Sequence, residues 1–188
     1  RRHSFPTRRS SDLPGYQFFE RISHVLPNAR LIAEDLGDLC PSVPQLRNAV
    51  GLPGMAVLHF AFGDNDGNPY LPHNLHPNTV LYPGTHDNDT SKGWYASSPE
   101  HVKNKVRSYL GVSGEDIAWD LIKTCYHSRA NLTVIPLQDF MNLGGEARFN
   151  TPGVALGNWE WRYTDEQLQA LTGSATYLKG LGKATGRA

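Results

Sequence analysis

Cysteine and methionine are scarce in this chain of 188 residues, at two each, and neither sign of charge is in excess: 18 basic residues face 18 acidic ones. Each shortage excludes something. Cys40 and Cys125 stand far apart, with no spacing that suggests a disulfide framework or a metal-binding knuckle, so both are expected to be free thiols in a reducing compartment. No apolar run is long enough to cross a bilayer. No basic n-region followed by an apolar h-region marks a secretory signal. Four arginines and one aspartate fall in residues 1–13, which leaves 14 basic and 17 acidic residues for the remainder. A mildly acidic body lacks the basic face that a nucleic-acid partner needs, and it is repelled by an anionic membrane surface.

Residues 1–13, RRHSFPTRRSSDL, are rich in Arg and Ser, carry no apolar period and stop at Pro14-Gly15. A basic nucleic-acid-binding arm would have this composition. The string fits a non-native leader better, resembling a translated sequencing adapter, and it is set aside from fold reasoning.

From Pro14 onward the pattern alternates. Helical spacing of Phe18, Phe19, Ile22 and Val25 predicts a helix over 16–25. A short strand is expected over Leu31–Ala33. A helix over 42–50 would have Ser42 as N-cap and Gly51 as its stop. Continuous apolar character predicts strands over 54–62, 78–82 and 131–137, covered on both faces. Helices are expected over 99–110, 115–127 and 164–181, the last with Thr164 capping the Asp165-Glu166 turn. Strands alternating with helices imply parallel β/α units. Four such units predict an α/β fold, the C-terminal half of a (β/α)8 TIM barrel over 14–188. A complete, smaller open sheet is the alternative.

Polar groups crowd two strand exits. After Asn78–Tyr82 comes Gly84-Thr85-His86-Asp87-Asn88-Asp89-Thr90, and after Leu31–Ala33 come Glu34, Asp35 and Gly37. Such density costs desolvation unless something binds there, and strand exits are where barrel enzymes build active sites. Glu34, flanked by Ile32 and Leu36, would be desolvated enough to hold its proton as a general acid; a surface salt bridge is the plainer alternative. Asp87 would stabilise positive charge on a sugar ring, since glycoside chemistry passes through an oxocarbenium-like state. His86 would bond a hydroxyl. The competing view is an Asx turn in which Asp87 and Asn88 bond their own backbone. A metal site is disfavoured because the loop lacks the alternating ligand spacing of hard cations. Phe60, Phe62, Tyr82, Trp94, Tyr95, Trp159 and Trp161 could supply rings on which sugars stack, although core packing is the default for any one of them. Phe60 and Phe62 alternate on the strand expected over 54–62, so one of the pair is expected in the core.

Five strings in order, IAEDLG (32–37), GLPGM (51–55), GTHDNDT (84–90), IPLQD (135–139) and ARFNTPG…GNWEWR (147–162), resemble the 4-α-glucanotransferases, the amylomaltase or disproportionating enzymes of the α-amylase clan. The resemblance implies a barrel and a retaining double displacement on α-1,4-glucans, with no cofactor. It makes Glu34 the acid/base and Asp87 the transition-state stabiliser, acting together on one anomeric centre. It makes His86, Phe60, Asn150 and Asp64 substrate-binding residues. His59 stands where Gln is usual and Phe149 where Met is usual, which touches subsite preference rather than the chemistry. The family's nucleophile lies in an Arg-Ile-Asp-His type motif that these residues do not contain; Arg21-Ile22-Ser23-His24 has the wrong context. The missing N-terminal barrel half is therefore an expected partner, and the 188-residue chain alone is expected to be inactive. The expected location is the cytoplasm, or alternatively the plastid stroma. A non-catalytic glucan-binding module and an α-glucan hydrolase of the same clan are the rival readings.

Overall fold

The computed structural model describes residues 15–63 and 66–187. The segment read above as a leader, and Asp64, lie outside the described residues. The chain divides into two compact units, residues 1–55 and 56–188.

In the first unit, helix α1 (Gly15–Val25) and helix α2 (Ser42–Ala49) pack together. A side chain at Gly15 would meet Leu46 Cδ2 at 2.7 Å, so glycine permits their close approach. Gly51 takes a φ of 73° and ends the α2 region, as expected of a residue without a Cβ. Ser42 is the first helical residue rather than the cap; Pro41 holds the N-cap position and no side chain caps the helix. The strand expected over Leu31–Ala33 does not form. Ala33 N–H donates to the Pro53 carbonyl at 2.9 Å, and one such bond is not a ladder.

Strand β1 (Gly54–Val57) leads into the second unit, where β2 (Thr79–Tyr82) and β3 (Leu132–Thr133) follow in the sheet order β1-β2-β3. β2 and β3 run parallel, with Val80 opposite Leu132 and Leu81 opposite Thr133. Regular pairing in β3 is short, but ladder-like bonds flank it: Asn131 N–H to the Pro77 carbonyl and Val134 N–H to the Leu81 carbonyl. The run expected to reach residue 137 stops because Pro136 cannot donate to a ladder; helix α6 (Leu137–Phe140) starts directly after it.

The strand expected over 54–62 is also cut short. After Val57 the chain turns through a 3-10 segment, Leu58–Phe60. The Phe60 carbonyl accepts from Asn68 Nδ2 at 2.8 Å. The turn sends the two phenylalanines apart: Phe62 is 1% exposed in the core and Phe60 is 43% exposed, edge-on to Tyr70.

Helices α3 (Ser91–Ser97), α4 (Glu100–Leu110) and α5 (Ile117–His127) cover the sheet. Val106 of α4 and Ile117, Leu121 and Cys125 of α5 meet Leu58, Phe62, Leu71 and Leu81 in one core. Each fully buried large side chain stabilises by about 1.5–3 kcal/mol. Helices α7 (Asp165–Ala170) and α8 (Thr172–Ala184) close the described chain. Thr164 caps α7 as expected, within a full capping box: its hydroxyl accepts from Gln167 N–H, and the Gln167 side chain accepts from Thr164 N–H. No helix among the described residues is long and apolar enough to cross a membrane. Cys40 and Cys125 are both free, the first exposed and the second buried.

Candidate functional site at the exit of β2

Residues 83–90 carry the chain from the end of β2 to the N-cap of α3, where the Thr90 hydroxyl accepts from Gly93 N–H at 3.1 Å. Within this loop the roles divide. Asn88 Oδ1 accepts from both the backbone N–H and the hydroxyl of Thr85, each at 2.8 Å. Asn88 is thus the turn-maker that the Asx reading foresaw. Asp87 is not: its backbone N–H donates to the Thr85 hydroxyl at 3.3 Å, which leaves its carboxylate to act elsewhere.

That carboxylate reaches across the chain. Asn150 Nδ2 donates to Asp87 Oδ1 at 2.6 Å, and His86 Nε2 lies 3.3 Å from the same oxygen. Arg148 fixes the geometry from behind, its Nη2 donating to the Asp87 carbonyl and its Nε to the Asn150 carbonyl, both at 2.9 Å. Two strings distant in sequence are thereby stapled at their main chains. The side chains of His86 and Asp87 remain 57% and 49% exposed, so the cluster is open to a ligand. The Trp159 ring lies 5.3 Å from His86 and meets Phe149 edge-on at 4.9 Å. The structure thus brings together Asp87, His86 and Asn150. It adds Arg148, which sequence reasoning missed; its place two residues before Asn150 in the ARFN string was the available signal.

The loop rests on a buried polar chain. His59 is 5% exposed, stacks on Trp94 with ring centres 4.4 Å apart, and its backbone N–H donates to the Pro83 carbonyl. A Cβ at Gly84 would come within 2.6 Å of the imidazole, so the loop begins with the one residue that fits there. Ser91 donates twice to Asp139, from N–H to Oδ1 at 2.8 Å and from its hydroxyl to Oδ2 at 2.7 Å. The Ser91 hydroxyl oxygen is then left to accept from His59 Nε2, 3.2 Å away. Burial raises the Asp139 carboxyl above the usual range, a shift that the two Ser91 bonds oppose. The IPLQD string therefore supplies a strut beneath the site rather than a group in it.

Burial pushes His59 down to about 3. Its folded pKa lies below that of a free imidazole, so the unfolded chain takes up a proton that the folded chain refuses. The stabilisation is full above about pH 6.5 and is lost as pH falls toward 3, at about 1.4 kcal/mol per pH unit. His59→Gln keeps a donor for Ser91 without the titration. Urea unfolding near pH 7 and near pH 5 should therefore show the parent chain losing about 2 kcal/mol more than the variant. Equal losses would show that His59 is not the group responsible.

Phe60 is described above, and Asp64 is outside the described residues. Glu34 belongs to the first unit and is exposed, so the desolvation expected from Ile32 and Leu36 is not provided there. Its neighbour is the structural one of the pair: Asp35 is ion-paired with Arg47 and accepts from Met55 N–H at 2.7 Å. Among the described residues no group of three or more His, Cys, Asp or Glu side chains is placed to hold a metal ion.

A half-exposed carboxylate thus stands at the exit of a parallel strand, met by an amide and an imidazole, with an arginine on its main-chain carbonyl. Residues 5–169 match the family model described as 4-alpha-glucanotransferase, and the chain belongs to that family. It is 47% identical over 150 residues to the chloroplastic/amyloplastic 4-alpha-glucanotransferase DPE1 of Arabidopsis thaliana, covering 79% of this chain and 26% of that protein. It is 43% identical over 182 residues to the 4-alpha-glucanotransferase of Thermus thermophilus, covering 93% of this chain and 36% of that protein. Among solved structures, the amylomaltase of Streptococcus agalactiae in complex with acarbose superposes with a TM-score of 0.85 at 31% identity, over 93% of this chain and 35% of that one. The chain spans about a quarter to a third of the length of the relatives it matches.

Proposed function

We propose that this chain is the part of a 4-α-glucanotransferase that carries the acid/base and the transition-state stabiliser, within the second half of a (β/α)8 barrel. The substrates are α-1,4-glucans and maltooligosaccharides, and the place of work is the cytoplasm or the plastid stroma. The strongest support is the 2.6 Å bond between Asn150 and Asp87, with Arg148 tying both main chains. It gathers two of the family's strings into one polar, open cluster. The acarbose bound by the Streptococcus agalactiae relative is consistent with a saccharide ligand.

The chemistry would run as a double displacement. Glu34 gives its proton to the departing glycosidic oxygen while a carboxylate nucleophile, which this reading assigns to the other half of the barrel, attacks the anomeric carbon and forms a β-glucosyl ester. Glu34 then removes the proton of an incoming 4-hydroxyl, whose oxygen displaces the ester and restores an α-1,4 link. Asp87 stabilises the positive charge that grows on the ring in both steps. His86 and Asn150 bond hydroxyls and orient the sugar, and Phe60 and Asp64 serve neighbouring subsites. Transfer outruns hydrolysis when the acceptor sugar is held better than water.

Maltotriose separates the readings. The full-length enzyme should yield glucose and longer oligomers, while the 188-residue chain alone should bind without turnover. Free glucose and maltose without longer products from the full-length protein would make it a hydrolase. Robust disproportionation by the short chain would overturn the assignment of the nucleophile elsewhere.

A further inference from the structure

We propose that Trp159 is a stacking platform for the apolar face of a glucose ring, presented at a cost in backbone strain beside the Asp87 cluster. This inference rests on the α-glucan reading above and names a residue that reading leaves without a role.

Trp159 has a φ of 64°. A bulky side chain in the left-handed region is a true outlier, and such residues gather at ligand sites, where surrounding contacts over-determine them. Contacts on both sides do so here. Trp159 N–H donates to the Phe149 carbonyl at 2.7 Å, and its own carbonyl accepts from Arg162 Nη1 at 2.9 Å. The preceding residue, Asn158, is tied to the 151–154 turn: its Oδ1 accepts from Thr151 N–H and its Nδ2 donates to the Val154 carbonyl, each at 2.8 Å.

Packing does not account for this arrangement. A strained residue held for the core would be buried, yet Trp159 is 51% exposed. Phe149 backs the ring edge-on, and His86 adjoins it at a 36° tilt. His86 Nε2 lies 3.3 Å from the Asp87 carboxylate, which Asn150 also bonds, so hydroxyl-binding groups begin where the ring ends. A flat apolar surface bordered by such groups suits a pyranose, whose C–H face is apolar and whose edge carries hydroxyls.

The test is titration of maltoheptaose against the 188-residue chain and against Trp159→Phe, Trp159→Ala and Trp159→Gly. Loss of the ring in Trp159→Ala and Trp159→Gly should weaken binding about tenfold, while Trp159→Phe should stay within about threefold. Trp159→Gly should melt about 3 °C above Trp159→Ala, since both lose the ring but only glycine relieves the left-handed backbone. Saccharide should shift the tryptophan fluorescence of the parent chain, and Trp159→Phe should abolish that shift. The fluorescence result decides the matter even where the smaller variants fold poorly. Binding by Trp159→Ala or Trp159→Gly within about twofold of the parent, or a shift that survives Trp159→Phe, would overturn the stacking role alone. Absence of maltoheptaose binding by the parent chain would overturn both this role and the glucan reading beneath it.

Discussion

Asp87→Asn in the full-length enzyme is expected to lower kcat/KM for maltotriose disproportionation about a thousandfold, with kcat carrying most of the loss. The substitution removes charge and keeps shape. The new side-chain amide would still offer an oxygen to Asn150 Nδ2. Arg148 bonds the main-chain carbonyl at this position, which the side-chain change does not touch. The loop should hold its form because Asn88 and Thr85 build the turn. The melting temperature should therefore move by no more than about 2 °C. On the role proposed for Asp87, what goes is the negative charge that would face the growing positive charge of the sugar ring. Unchanged turnover would make Asp87 a loop residue, and a large fall in melting temperature would make it a structural one.

Glu34→Gln should reduce turnover of maltotriose by about a thousandfold or more. Glu34 is exposed and its neighbour Asp35 holds the local structure through Arg47 and Met55, so stability should not change. A second donor makes the result specific. Fluoride departs without needing a proton, so α-maltosyl fluoride should form the glycosyl-enzyme nearly as fast in Glu34→Gln as in the parent. Rescue of that first step would assign the proton to Glu34. Equal loss with both donors would contradict an acid role.

Local rules were legible in the sequence wherever a few neighbouring residues decide the outcome. The T-D-E-Q spacing announced the cap at Thr164, and Gly51 announced the end of α2, because both depend on backbone groups within one turn. Phe60 and Phe62 were misread as alternating on a strand. The turn that separates them depends on Asn68 and Pro83, which are distant in sequence and brought near only by folding. The strand expected over Leu31–Ala33 had the right composition, but a strand is defined by its partners, and composition does not supply them.

The site was legible in the same uneven way. Clustered polar residues after an apolar run marked Asp87 and His86, and the resemblance marked Asn150. Trp159 was only one of seven candidate rings, and Arg148 went unnoticed, because their distinction lies in what they touch: two carbonyls for Arg148, and for Trp159 a backbone that tryptophan rarely adopts. The sequence singled out Glu34 of the adjacent acids and gave Asp35 no role; only contacts show that Asp35 anchors the local fold through Arg47 and Met55.

The measurement closest to the central idea is a titration of the isotope-labelled 188-residue chain with maltoheptaose, followed by NMR at the side-chain amide of Asn150, the imidazole of His86 and the indole N–H of Trp159. A glucose ring seated on Asp87 must disturb all three, with one common saturation curve. Shifts confined to other parts of the chain, or none at any saccharide concentration, would mean that this cluster is not where the glucan sits.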